Sequence, residues 1–157
     1  MIRDAEPGDA PFVRRNFLDS YRGSPWAGPI PSEIFDEVAL RSFVLALSRP
    51  GMRRIVASVL LDGRELLLGF AVGRAPDTLV YAYVKRDYRR GGILSSMLAE
   101  LGIDRTRRIR CAYWSEDWKR IVRSSKLLCD YRPDIVRRAP RREHASIRDI
   151  APAPEHD

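Results

Sequence analysis

The stretch 78-TLVYAYVKRDYRRGGILSSMLAELG-102 decides the fold. Its first seven residues, Thr78 to Val84, are β-branched or aromatic and predict a strand. Lys85 to Gly92 is a short basic turn that closes on Gly91-Gly92. From Ile93 the period changes: Ile93, Leu94, Met97, Leu98 and Leu101 share one helical face. Gly102 then stands where a helix C-cap belongs. A strand, a glycine turn and a helix in this order build a specific local chemistry. The first amides of a helix have no internal partner, and the helix dipole adds positive charge there. Glycine lets a ligand approach the backbone, and Arg89 and Arg90 add charge that suits phosphate. The stretch therefore predicts an anion site fitted to phosphate or pyrophosphate. The same residues also suit a plain strand-turn-helix with a solvated basic loop.

The run Val84-Lys85-Arg86-Asp87-Tyr88-Arg89-Arg90-Gly91-Gly92-Ile93 resembles the acyl-CoA-binding signature of the GNAT N-acetyltransferase superfamily. That signature is a strand ending in Val, a Tyr-Arg pair, then Arg/Gln-x-x-Gly-x-Gly/Ala at a helix start. Arg89 and Gly92 match its first Arg and Gly. Leu94 departs from it, standing where the family has Gly or Ala, at the mouth of the cofactor cleft. The resemblance implies that the backbone from Arg89 through Arg90, Gly91, Gly92, Ile93 and Leu94 to Ser95 meets the pyrophosphate of acetyl-CoA or another acyl-CoA. It also implies that amides near Val84 meet the thioester carbonyl.

Composition bounds the rest. The chain has 157 residues, suited to one domain with a real core. No apolar run approaches a membrane span, and MIRDAEPGDA does not read as a signal peptide. Cys111 and Cys129 lack metal-ligand spacing and read as reduced, structural residues of a cytoplasmic protein, in a bacterial cell or phage-infected host. Both histidines, His144 and His156, lie near the C-terminus, which argues against a His-based triad or metal site in the core. The net charge of +7 is unevenly placed, with 17 Lys/Arg against 7 Asp/Glu between Lys85 and Arg142. Such a half suits nucleic acid or CoA phosphates, and equally a solvated arginine surface.

Taken in order, residues 1–5 predict a short strand, and Asp9 with Pro11 the start of a first helix. Ser32 reads as the cap of a second helix over 33–48. Strands follow over 54–61 and 65–72, joined by the tight-turn pair Asp62-Gly63. After the central motif come a strand over 110–114, a helix over 116–128 and a last strand over 129–136 interrupted by Pro133. The expected fold is α/β (α+β) and GNAT-like. Its sheet is mixed and mostly antiparallel, with a parallel, splayed strand pair, flanked by about four helices. The domain spans 1–136, and 137–157 is a basic, proline-containing tail.

Two groups of side chains are candidates for substrate chemistry. Tyr21, Arg22 and Trp26 belong to the turn-rich run YRGSPWAGPIP. They suit either an acceptor wall, as the resemblance implies, or a loop stapled to the core. The wording Asn16-Phe17-Leu18-Asp19-Ser20-Tyr21-Arg22, followed by Ser24-Pro25-Trp26-Ala27, also resembles small phage-encoded GNAT-like proteins. The family's Asn-x-x-Ala-x-x-x-Tyr pattern, which carries its usual acid, is absent. By position, Tyr83, Tyr113, Ser115 and Asp117 are the catalytic candidates, with Tyr81 and Glu116 beside them. Each tyrosine equally suits core-edge packing, and the two acids equally suit a helix N-terminus. The sequence thus points to an acyl-CoA-dependent N-acyltransferase whose amine acceptor is nucleic-acid-associated, as in phage DNA modification. A catalytically inactive GNAT-fold binding or virion protein and a nucleic-acid-binding accessory protein are the alternatives. No metal is expected.

Overall fold

The computed structural model describes residues 1–25 and 27–137. Six strands form one sheet in chain order: β1 Ile2–Asp4, β2 Arg53–Leu61, β3 Arg64–Arg74, β4 Thr78–Val84, β5 Ile109–Cys111 and β6 Cys129–Tyr131. β1 to β4 run antiparallel, whereas β4–β5 and β5–β6 are parallel. The helices are α1 Ala10–Tyr21, α2 Ser32–Leu47, α3 Ile93–Glu100, α4 Glu116–Ser125 and the single turn α5 Asp134–Arg137. This is the mixed, mostly antiparallel α/β layout the sequence predicts, with one difference. The parallel part contains three strands rather than a pair, because β6 joins β5 in the same direction.

The sheet separates two cores. On one face α1, α2 and α5 cover Val56, Phe70, Val72, Tyr81 and Tyr113. There the Phe17 ring stacks on Phe43 at 4.1 Å and meets Tyr81 and Tyr113 edge-on at 5.0 and 5.3 Å. Such ring pairs contribute beyond the area they bury. On the other face α3 and α4 close over Ile55, Ala71, Leu79, Ile109 and Cys111 through Met97, Leu98 and Trp118. Strand alternation produces this division, since Tyr81 and Tyr83 fall on the first face and Ala82 and Val84 on the second.

β4 and β5 pair only at Thr78↔Arg110 and Leu79↔Cys111, and a last bond runs from the Ala112 N–H to the Leu79 carbonyl at 3.1 Å. β4 then continues to Val84 while the other chain turns away to the Ser115 cap of α4, whose hydroxyl accepts from the Trp118 N–H at 3.1 Å. The two strands part, and a wedge opens in the sheet.

Several boundaries differ from expectation for local reasons. The Asp9 side chain does not cap α1. It accepts two bonds from Arg3, at 2.7 and 3.2 Å, and one from the Glu6 N–H at 2.8 Å. Ser32 is the first residue of α2 rather than its cap, which is Pro31. The strand expected over 110–114 ends at Cys111, the helix expected to 128 ends at Ser125, and Lys126 takes a left-handed φ of 52°. The strand expected over 129–136 ends at Tyr131, because Pro133 opens the helical turn α5. The tail from 138 lies outside the described residues.

Candidate active site

The wedge is the mouth of a cleft of about 570 Å³. One wall is the free edge of β4 and the start of α3, and the other is α4. In α4 the residues Asp117, Arg120, Ile121, Ser124 and Ser125 follow a helical period and line the cleft together. The third border is the end of α1, through Ser20.

Past the last β5 pairing, the β4 edge presents backbone that no strand among the described residues covers. The Lys85 N–H donates to the Leu68 carbonyl at 2.8 Å, and the register pairs Tyr83 with Phe70 and Ala82 with Ala71. Backbone direction alternates in an antiparallel pair, so Ala82 and Val84 turn their N–H and C=O groups to the open side. These are the groups that the motif reading required near Val84.

The anion end is built by the glycine turn. Arg90 and Gly92 have φ of 72° and 77°, and left-handed residues next to ordinary ones make successive N–H groups converge. Gly92 is the N-cap of α3, and a Cβ placed on it would meet no atom within 4 Å. The amides at the start of α3 therefore open onto free space, with Arg89, Arg90 and Arg120 around it. Ser95 lies on the same turn, its hydroxyl accepting from Arg105 at 3.0 Å. Leu94 lines the cleft but also packs on the α3 core, so it narrows the site without filling it. A pyrophosphate fits this cradle by charge, by free donors and by room. Gly91 shapes the turn but does not line the cleft.

Arg89 does more than the motif suggests. Its Nε donates to the Val84 carbonyl at 3.0 Å, and its Nη1 lies 3.2 Å from the Asp117 carboxylate. It spans the cleft from strand to helix and ties Asp117 to the β4 edge. Arg120 approaches the same carboxylate at 3.8 Å.

The catalytic candidates separate. Tyr83, Ser115 and Asp117 line the cleft. Burial raises the Tyr83 phenol above its ordinary value, while Arg89 pulls it down. Tyr81 also reaches the cleft, where its hydroxyl pairs with Ser20 Oγ at 2.8 Å, and burial pushes its pKa up to about 12. Tyr113 is different. It is 7% exposed, packed among Phe17, Tyr21 and Tyr81, and its hydroxyl is buried without a hydrogen-bond partner among the described residues. Its place is the aromatic core: β5 ends at Cys111, the alternation breaks there, and Tyr113 joins Ala112 on the α1 face instead of returning to the face of Cys111.

The expected acceptor wall is also redistributed. Tyr21 is a core residue stacked on Phe17 at 5.6 Å. Arg22 turns to the groove between α1 and α2 and is ion-paired with Asp36 and Asp19. Trp26 lies outside the described residues. Ser20, one residue before the expected wall, is the group α1 contributes. The missed α4 face had a signal: Asp117, Arg120, Ile121, Ser124 and Ser125 recur at helical spacing, with Trp118 bordering the same cleft beside them. Among the described residues no three His, Cys, Asp or Glu side chains converge as metal ligands would. Cys111 and Cys129 are free thiols on adjacent strands.

No family model matches this chain, and no curated protein matches it. Among solved structures it is similar to a GCN5-related N-acetyltransferase from Rhodopseudomonas palustris, at 23% identity and a TM-score of 0.42, over 64% of this chain and 62% of that one. The chain thus spans less than two thirds of that protein. It is also similar to AAC(6')-Iy, solved with the bisubstrate analogue CoA-S-monomethyl-acetylneamine, at 14% identity and a TM-score of 0.49, over 84% of this chain and 96% of that one. A third is a ribosomal-protein-alanine N-acetyltransferase from Brucella melitensis biovar Abortus 2308, at 15% identity and a TM-score of 0.46, covering 84% and 94%. At these values the likeness is one of outline.

Proposed function

We propose that the protein is a GNAT-type N-acyltransferase that moves an acyl group from acyl-CoA, acetyl-CoA first, to an amine. The observation that carries the proposal is the opening of the α3 amides, beside Gly92 and three arginines, onto a cleft that continues along the unpaired β4 edge. A diphosphate and an extended amide-containing arm are the two chemistries those surfaces recognise.

Bound acyl-CoA supplies a reactive thioester, and the chain supplies the rest. The N–H groups of Ala82 and Val84 face the open edge, where they can donate to the acyl carbonyl and to the arm that carries it. Tyr83, a phenol that borders the cleft beside the β4 edge, is the proposed acid toward the leaving thiolate. Asp117 is the proposed carboxylate for the amine proton, and Ser115 orders the turn that presents it. Positioning provides most of the rate, since the thioester needs little activation.

The acceptor is read more coarsely. A nucleic-acid-associated amine is supported by the charge of the second half of the chain, although Arg107, Arg108, Arg110, Lys119 and Arg132 are each ion-paired. No helix among the described residues is long and apolar enough to cross a membrane, and a cytoplasmic setting is part of this proposal. A second reading, a GNAT fold that binds acyl-CoA without turnover, is favoured by one feature: α4 offers Ser124 and Ser125 along the cleft and no tyrosine.

Thermal unfolding with and without acetyl-CoA tests the site, because a ligand that binds only the folded state raises stability by mass action. No shift at millimolar acetyl-CoA removes both readings. A shift without thiol release across a panel of amines and DNA selects the second.

A further inference from the structure

α2 is apolar beyond what its own fold uses. Phe35, Ala39, Phe43 and Ala46 bury against the sheet. Yet Ile34, Val38 and Leu45 stand outward at 56%, 59% and 49% exposure. Helices that are apolar nearly all round are normally covered on both sides. The outward positions Ile34, Val38, Arg41 and Leu45 are spaced by four, three and four residues, the seam spacing of a helix pair. Glu37 and Arg41 flank the centre of this stripe, both exposed, and among the described residues neither forms an ion pair.

We propose that α2 is the contact between two copies of this chain, crossing antiparallel about a twofold axis near residues 39 and 40. The symmetry follows from the pattern, since an isologous contact must be self-complementary. About that axis Ile34 faces the partner's Leu45, and Val38 faces the aliphatic stem of the partner's Arg41. The guanidinium then emerges beside the partner's Glu37, and the same pair repeats on the other side of the axis. Both unpaired charges are satisfied by one operation. α1, α3 and α4, which border the cleft, take no part in the contact, so this inference stands apart from the proposed activity. The contact is a single helix crossing, at the small end of specific interfaces, so a dissociation constant of about micromolar order is expected.

Sedimentation equilibrium of the full chain, from about 1 to 200 µM, reads the association. The expected result is a monomer–dimer equilibrium that Val38→Glu abolishes. Glu37→Arg and Arg41→Glu, each alone, set like charges together and weaken the dimer about tenfold or more. The double variant Glu37→Arg/Arg41→Glu restores the pairing and brings the affinity back to within about threefold of the original. Unchanged thermal unfolding at low concentration checks that the variants, all at exposed positions, remain folded. A chain that stays monomeric throughout overturns the proposal, including the case in which its own residues 138–157 cover α2. A dimer indifferent to Val38→Glu, or a double variant as weak as the single ones, also overturns it.

Discussion

Replacing Gly92 with glutamate separates the cradle from the fold around it. The position has φ of +77°, which costs an L side chain about 1–2 kcal/mol. Space does not add to that, because a Cβ there meets nothing within 4 Å. A carboxylate at a helix N-terminus returns about 0.3–1 kcal/mol. The net loss is about 1 kcal/mol, or a fall in Tm of about 2–4 °C for a chain of this size. The ligand effect is larger. At a concentration near one hundred times Kd, acetyl-CoA stabilises the unsubstituted protein by about 2.7 kcal/mol, which reads as about 5–10 °C. A glutamate standing where the diphosphate sits makes binding about one hundredfold weaker, for a penalty of about 2.7 kcal/mol. At the same concentration the stabilisation then falls to about 0.4 kcal/mol, under about 2 °C. Differential scanning fluorimetry reads both quantities in one experiment. Gly92→Ala is the control, since it carries the same backbone strain without the charge and should keep most of the shift. A glutamate variant with the original acetyl-CoA shift would refute the placement of the anion at α3.

Three further outcomes follow from the geometry. Tyr83→Phe should lower kcat about tenfold or more with a small change in KM, because the hydroxyl borders the cleft and is the proposed acid. Tyr113→Phe should leave kcat unchanged and hold or raise stability by up to about 1 kcal/mol, because it removes a buried hydroxyl that has no partner among the described residues; a kcat loss there would return Tyr113 to the site. Acid stability should depend on Arg3, whose hydrogen bonds lower Glu65 to about 2 and lower Asp9 as well. Both carboxylates are depressed in the folded state, so their contribution is present above about pH 4.5 and is lost as pH falls toward 2. The Tm difference between the original protein and Arg3→Gln should therefore narrow over that window, and a gap that is constant with pH contradicts the linkage.

The motif stretch was read nearly residue for residue, because its period changes from strand to helix within one sequence and its glycines mark the change. The hairpin at Asp62-Gly63 was equally plain, with both residues at positive φ in the structure. What resisted reading was tertiary. The sequence places Tyr113 inside a strand over 110–114, whereas the strand stops at Cys111, and that stop sets which way the ring turns. Tyr21 and Ser20 are neighbours on one helix, and only the packing of α1 on the sheet decides that one is core and the other borders the cleft. Arg89 suits a phosphate by its charge and place in the motif, but its bridge to Asp117 joins residues 28 positions apart and depends on where α4 lies. Asp9 stands where a cap belongs because it precedes a helix, and Arg3, six residues earlier, claims it instead.

The parity of β4 gives the cleft its division of labour. Tyr81 and Tyr83 project to the α1 face, where Ser20 already holds the Tyr81 hydroxyl. Ala82 and Val84 project to the α3 face, beneath the helix whose first amides are open. Between the two faces lies the strand edge itself, free because β5 is only three residues long. An acyl donor anchored at α3 would therefore reach the edge from one side, and an amine would reach it past Ser20 and Tyr83 from the other. The acyl carbon would lie in the plane of the sheet, where Val84 supplies an N–H. Extending the β4–β5 ladder from Leu79 as far as Val84 would occupy those backbone groups and close that plane. The short fifth strand is thus as much a part of the proposed site as the arginines, and its brevity follows from the turn that carries the chain to the Ser115 cap.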